Sequence, residues 1–169
     1  MRTDERSPRA EPRPSLRALL LAAPLVFAAH VAEEAPGFVA WFNAHVARGI
    51  SAPLFWTVNW TGLVITAIVV ALEWASGSAV SAILVVAWLG CIMFANALFH
   101  VAGALADRAY MPGVVTALLL YLPFFSTVVT RVVRSRRLSP LAVAAATLVG
   151  ALPMLVHGYL IVFRGSRLF

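Results

Sequence analysis

Six polar side chains stand where an otherwise apolar sequence should discourage them. His30, Glu33 and Glu34 fall within little more than one helical turn. Positions i, i+3 and i+4 share a helix face, so the three can converge on one point. Asn96 and His100 are four apart, one above the other on a second helix face. His157 stands alone in the last apolar stretch. Histidine with carboxylate is the donor set of a divalent metal site such as zinc or iron. Two neighbouring carboxylates at a helix C-terminus repel each other and oppose the macrodipole, so something cationic must offset them. A metal ion would do so, as would a protonated His30 or His100, Arg108 or Arg164, or a proton shared between the carboxylates.

The elements that position these groups follow from composition. The chain has 169 residues, 62% hydrophobic and 12% charged, with a mean hydropathy of +0.89. Soluble domains are roughly 45–50% apolar and about 25% charged, which excludes a water-soluble fold. A membrane helix needs about 20 apolar residues, and five stretches supply them, at about 16–34, 52–75, 79–106, 111–133 and 139–163. Pro36-Gly37, Ser76-Gly77-Ser78, Asp107-Arg108 before Pro112-Gly113, and the arginine run before Pro140 punctuate them. The segment from Phe38 to Ile50 is too short to span. Phe38, Phe42, Val46 and Ile50 share one side of it, as in an interfacial helix. The expected fold is therefore all-α, a polytopic membrane bundle of about five transmembrane helices plus a short interfacial helix. Residues 1–15 read as a disordered cytoplasmic tail and 16–169 as a single transmembrane domain. No small-x-small site closes the first apolar run, which argues against a cleaved signal peptide.

All thirteen basic residues are arginines. With the N-terminus inside, Arg2, Arg6, Arg9, Arg13, Arg17, Arg131, Arg134, Arg136 and Arg137 fall on the inner side. Arg48, Arg108, Arg164 and Arg167 fall outside. The positive-inside rule then gives N-in, C-out, with the plasma (inner) membrane as the expected location. The sequence pI near 11 is an orientation signal, and no nucleic-acid partner is expected. Spans one, three and five run outward. At about 1.5 Å per residue, His30 lies about 21 Å along its helix, Asn96 and His157 about 25 Å, and His100 about 31 Å. All can share one layer in the outer half of the bilayer.

His30-Val31-Ala32-Glu33-Glu34 reads H-x-x-E-E, Asn96-Ala97-Leu98-Phe99-His100 reads N-x-x-x-H, and His157 adds a further histidine. Together they resemble the HXXEE-domain family of small integral membrane proteins, over about residues 16–163. The resemblance implies that His30, Glu33, Glu34, Asn96, His100 and His157 are the motif residues. It also implies an enzymatic or metal-binding role without a settled reaction. His45 matches none of these motifs and is expected at headgroup level. The one cysteine, Cys91, allows no internal disulfide and no cysteine-only metal site.

The favoured expectation is a metal-dependent membrane enzyme acting on a lipophilic small molecule. His30, His100, His157 and one of Glu33 or Glu34 would hold zinc or iron, and the other carboxylate would serve as general acid or base. Asn96 would orient His100 or the substrate. Asn59, on a stripe with Gly62, Thr66 and Glu73, would support the site from the second span, and Glu73 would cap that span. The apolar run Ala67–Leu72 interrupts this stripe, so it forms no continuous ion path. Two alternatives keep the same residues: metal-free acid–base chemistry on an apolar substrate, as in an isomerase or cyclase, or a non-enzymatic membrane protein whose polar contacts hold the helices together. The residues do not specify an oligomeric state, and no nucleotide, flavin or haem motif is evident.

Overall fold

The computed structural model describes residues 15–45 and 49–164, with side chains to Tyr159. The tail before residue 15, Val46 of the expected interfacial face, and Arg48 lie outside the described residues. The described residues form helices and no strand. Five helices are long and apolar enough to cross a membrane. We label them α1 (Leu16–Glu34), α3 (Ala52–Ser76), α4 (Ala79–Asp107), α5 (Val114–Arg134) and α6 (Pro140–Arg164), with the short α2 (Phe38–His45) between the first two. These bounds agree with the hydropathy reading to within a few residues. The protein is an integral membrane helical bundle.

Serine side chains start four of the five long helices. Ser15, Ser51, Ser78 and Ser139 each accept a hydrogen bond from the backbone N–H three residues on, which satisfies one of the free donors of the first turn. Gly77 ends α3 in the left-handed conformation at φ 57°. The Arg17 guanidinium occupies the space where a side chain at Gly77 would stand.

α4 is the most enclosed helix. α3 and α6 both pack on it and scarcely on each other, which leaves a groove between them. The core gathers Leu20, Phe27, Val85, Leu89, Met93, Tyr121, Phe125 and Val128. The outward faces of α3 and α6 present Val64, Ile68, Leu141, Leu148 and Val149. In water such a surface would be prohibitive. In lipid it is the ordinary exterior.

Polar side chains inside the bundle are spent on holding helices together. Trp88 Nε1 donates to Thr66 Oγ1 at 2.9 Å, and Thr66 donates to the Gly62 carbonyl at 2.7 Å. Glu73, read from sequence as an end cap, is instead fully buried and ion-paired with Arg137 from the connection after α5. Arg137 NH2 reaches Glu73 Oε2 at 3.0 Å, and Ser81 Oγ donates to that oxygen at 2.6 Å. Arg137 also donates to the Ser78 carbonyl. Removing either charge would strand the other, at a cost of about 3–5 kcal/mol. At the opposite end, α2 is fastened by Trp41 Nε1 and His45 Nε2, each 3.1 Å from a carboxylate oxygen of Asp107. Asn43 brackets the backbone of Ile50 with hydrogen bonds of 2.7 and 2.9 Å.

Gly150 sets the closest helix approach. A Cβ there would collide with the Ala87 carbonyl of α4, whereas a Cβ at Gly158 would meet nothing closer than Phe99 at 3.7 Å. Gly150→Ala should therefore destabilise the bundle by about 1–3 kcal/mol, the usual cost of overpacking. Gly158→Ala should leave it unchanged. Thermal unfolding of the two variants in detergent reads the difference directly.

Candidate functional site

The last turn of α1 faces the second half of α4. His30 and Glu34 are one turn apart, and His100 comes from α4 opposite them. Glu34 Oε1 stands 3.0 Å from His100 Nε2 and 3.5 Å from His30 Nε2. The three side chains are closed off from the outside, at 2% exposure for His30, 4% for Glu34 and 0% for His100. One ligand atom from each lies within 4.8 Å of the others, so the group could hold a metal ion. Bonds of about 2.0–2.1 Å at tetrahedral angles place donor atoms about 3.3 Å apart, a spacing bracketed by the two measured distances.

Hydrogen bonding around the group sharpens this. Neither Nε2 has a hydrogen-bond partner, because the approaches to Glu34 are close but poorly aligned. His30 Nδ1 lies 2.8 Å from Thr116 Oγ1, and Thr116 Oγ1 lies 2.5 Å from Glu33 Oε2. Glu33 also receives the backbone N–H of Thr116 at 2.7 Å, that of Val115 at 3.1 Å, and the Tyr110 hydroxyl at 2.9 Å. Donors thus surround both carboxylate oxygens, and the single Thr116 proton goes to Glu33. Thr116 must then accept from His30 Nδ1–H, and in a neutral ring this turns the Nε2 lone pair towards Glu34. Partial desolvation and the Glu33 carboxylate beside it raise the Tyr110 phenol above its ordinary pKa.

Aromatic and backbone surroundings fix the rings. Tyr121 lies against His30 at a centroid distance of 4.1 Å, and His30 meets His100 edge-on at 4.8 Å. Phe38 of α2 lies 5.7 Å from His100. Gly113, at φ 98°, precedes α5 and covers the group. A Cβ there would stand 2.5 Å from His100 Cε1 and 3.0 Å from Glu34 Cγ. Two π-helical segments adjoin the site, Gly90–Ala95 just before Asn96 and Ala117–Tyr121 just after Thr116. Such widened turns recur at functional sites because they rotate the following residues out of register.

The sequence candidates therefore separate. The structure brings together His30, Glu34 and His100 and, among the described residues, adds no other His, Cys, Asp or Glu to them. Glu33 points to the start of α5, so the expected convergence of all three H-x-x-E-E groups is replaced by a division between the two carboxylates. His157 is exposed on α6 and lines a cavity of about 380 Å3 that reaches Glu34. Phe38, Phe55, Phe99 and Met154 supply much of that cavity's apolar wall, and Asn59 and Asn96 also line it. The Asn96 Oδ1 is buried without a partner and makes no bond to His100. Asn59 donates to the Phe55 carbonyl at 3.0 Å. Sequence reasoning missed Thr116, Tyr110, Tyr121 and Gly113. The available signals were Pro112-Gly113 ahead of a threonine and a tyrosine inside an apolar span.

Comparison with known families agrees with this arrangement. The model of a family described as a protein of unknown function with HXXEE motif matches residues 21–129. That range takes in His30, Glu33, Glu34, Asn96, His100 and Thr116, and stops short of His157. Searches of curated proteins and of solved structures return no significant match. With a match over well more than half its length that takes in the motif at the end of α1, the chain belongs to the HXXEE family.

Proposed function

We propose that His30, Glu34 and His100 hold a divalent metal, zinc or iron, in a membrane enzyme that acts on a lipophilic substrate. The observation that carries this reading is the convergence of His30 Nε2, His100 Nε2 and Glu34 Oε1 in one buried group, with neither imidazole nitrogen hydrogen-bonded. A neutral His30 ring would face Glu34 with a lone pair, and a cation between the two acceptors removes their repulsion. Three protein ligands are also the usual number for a metal site that keeps a position open for chemistry. When bound, the metal would act as a Lewis acid towards an oxygen of the substrate.

The remaining residues have separable tasks. Glu33 and Thr116 act as positioning residues, holding His30 in the tautomer that presents Nε2. Gly113 leaves room for the His100 ring. His157, the titratable group that lines the cavity besides Glu34, is placed to move a proton to or from a substrate there. The arginine distribution supports an N-in, C-out orientation in a plasma (inner) membrane, which puts this site towards the outer leaflet.

A second reading has one specific support. Glu34 Oε1 lies within reach of both imidazoles, so a shared proton could replace the metal and drive acid–base isomerisation or cyclisation. Metal analysis of protein purified in detergent without chelators separates the two. Stoichiometric metal that disappears in His30→Ala and in His100→Ala is the expected result, and its absence from the unaltered protein would overturn the metal reading. Thr116→Val should weaken metal affinity about 10–100-fold, the usual effect of losing an outer hydrogen bond to a ligand. Thr116→Ser, which keeps the hydroxyl, should restore most of it. Competition with a chromophoric chelator measures both.

A further inference from the structure

The cavity beside Glu34 continues along α3. A second cavity of about 340 Å3 shares Val58, Asn59, Asn96 and Met154 with the first, and runs on to Ile65, Trp88 and Ile92. We propose that the two form one track for a neutral long-chain alcohol, with its hydroxyl at Asn96 beside Glu34 and its chain laid along α3. The proposal deepens the function given above, and rests on it for the alcohol's role as substrate.

Four observations define the occupant. First, the track is apolar and elongated: from Leu54 to Ile65 it follows α3 for roughly 16 Å at the helical rise. Second, it opens sideways. α3 and α6 flank it while scarcely touching, and Leu54, Val58 and Leu155 are exposed along those helices. A molecule dissolved in the bilayer can enter without crossing water.

Third, the head position has a chemical signature. Asn96 Oδ1 is buried and lacks a partner, a deficit worth about tenfold in affinity to a ligand that fills it. The neighbouring Asn59 amide is already committed to the Phe55 carbonyl. A hydroxyl both donates and accepts, so it satisfies the Asn96 amide in either orientation. An ether or ketone, which only accepts, does not satisfy Oδ1. Fourth, the charge pattern rejects anions. No arginine lines either cavity, and Glu34 is the acidic group in the first. In the metal-free protein a phosphate or carboxylate head would be desolvated beside the like charge of Glu34, with no arginine to offset it.

The test uses a long-chain alcohol carrying a diazirine in its tail, with full-length protein stripped of metal in detergent. Photolysis and peptide mapping should place adducts on Val58, Ile65, Trp88 and Met154. Unlabelled hexadecanol should displace them at least tenfold better than palmitate. Asn96→Leu should weaken competition by hexadecanol about tenfold. Val58→Trp, at an exposed lining position shared by both cavities, should abolish labelling. Equal displacement by palmitate, adducts confined to outward residues such as Leu148 and Val149, or labelling unaffected by Val58→Trp would each overturn the proposal. Because the protein is metal-free, labelling without any metal affinity would overturn the metal reading alone, and metal binding without a labelled track would overturn this one alone.

Discussion

One carboxylate oxygen, Glu34 Oε1, sits between two imidazole nitrogens, with all three side chains buried. In that setting each polar atom must find a partner or cost about 1–3 kcal/mol, and the surrounding architecture follows from that demand. His30 can face Glu34 only because Thr116 holds its other nitrogen. Thr116 can do so only because Glu33 takes its proton. Glu33 in turn is anchored by the backbone of Val115 and Thr116 and by Tyr110. The end of α1 is thus docked to the beginning of α5 by a chain of hydrogen bonds that also decides which face of an imidazole is available. Gly113 completes the arrangement by bringing backbone where a side chain would strike His100.

The opposite end of the bundle solves the same problem differently. Glu73 is as deeply buried as His100, yet its carboxylate is met by Arg137 and Ser81 with its valences satisfied. That is a finished structural contact. Around His30 and His100, by contrast, both Nε2 atoms, His100 Nδ1 and the Tyr121 hydroxyl lack partners. One molecule thus holds a saturated buried cluster at one end and an unsaturated one at the other.

Much of this was legible in the sequence. The five spans follow from hydropathy because lipid tolerates only helices with internally satisfied backbones, and the boundaries follow from serine, glycine and proline at the breaks. His30 and Glu34 were readable because helical spacing puts i and i+4 side by side, and His100 because its depth along the third span sets it in the same layer. The parting of Glu33 from Glu34 was not. Neighbouring residues differ by about 100° around a helix, and only knowing which helices stand on either side says where each carboxylate goes. Thr116 and Tyr110 were invisible for a related reason, since they come from a connection about 80 residues away whose path Gly113 redirects. Glu73 looked like an end cap because its partner, Arg137, resembled any other arginine in the run before Pro140. The sideways groove depends on α3 and α6 each preferring α4 to one another, a packing choice that no local pattern encodes.

The Glu73–Arg137 contact also has a mechanical side. It pins α3 at one end, while the helix is unpacked along the flank that borders α6. Leu54 lies roughly 28 Å from Glu73 along the helix axis, and between them Phe55 and Thr66 hold α3 to the bundle. The charges that fasten the helix therefore stand almost a full helix length from the opening beside Glu34, so a ligand entering there would leave the buried ion pair undisturbed.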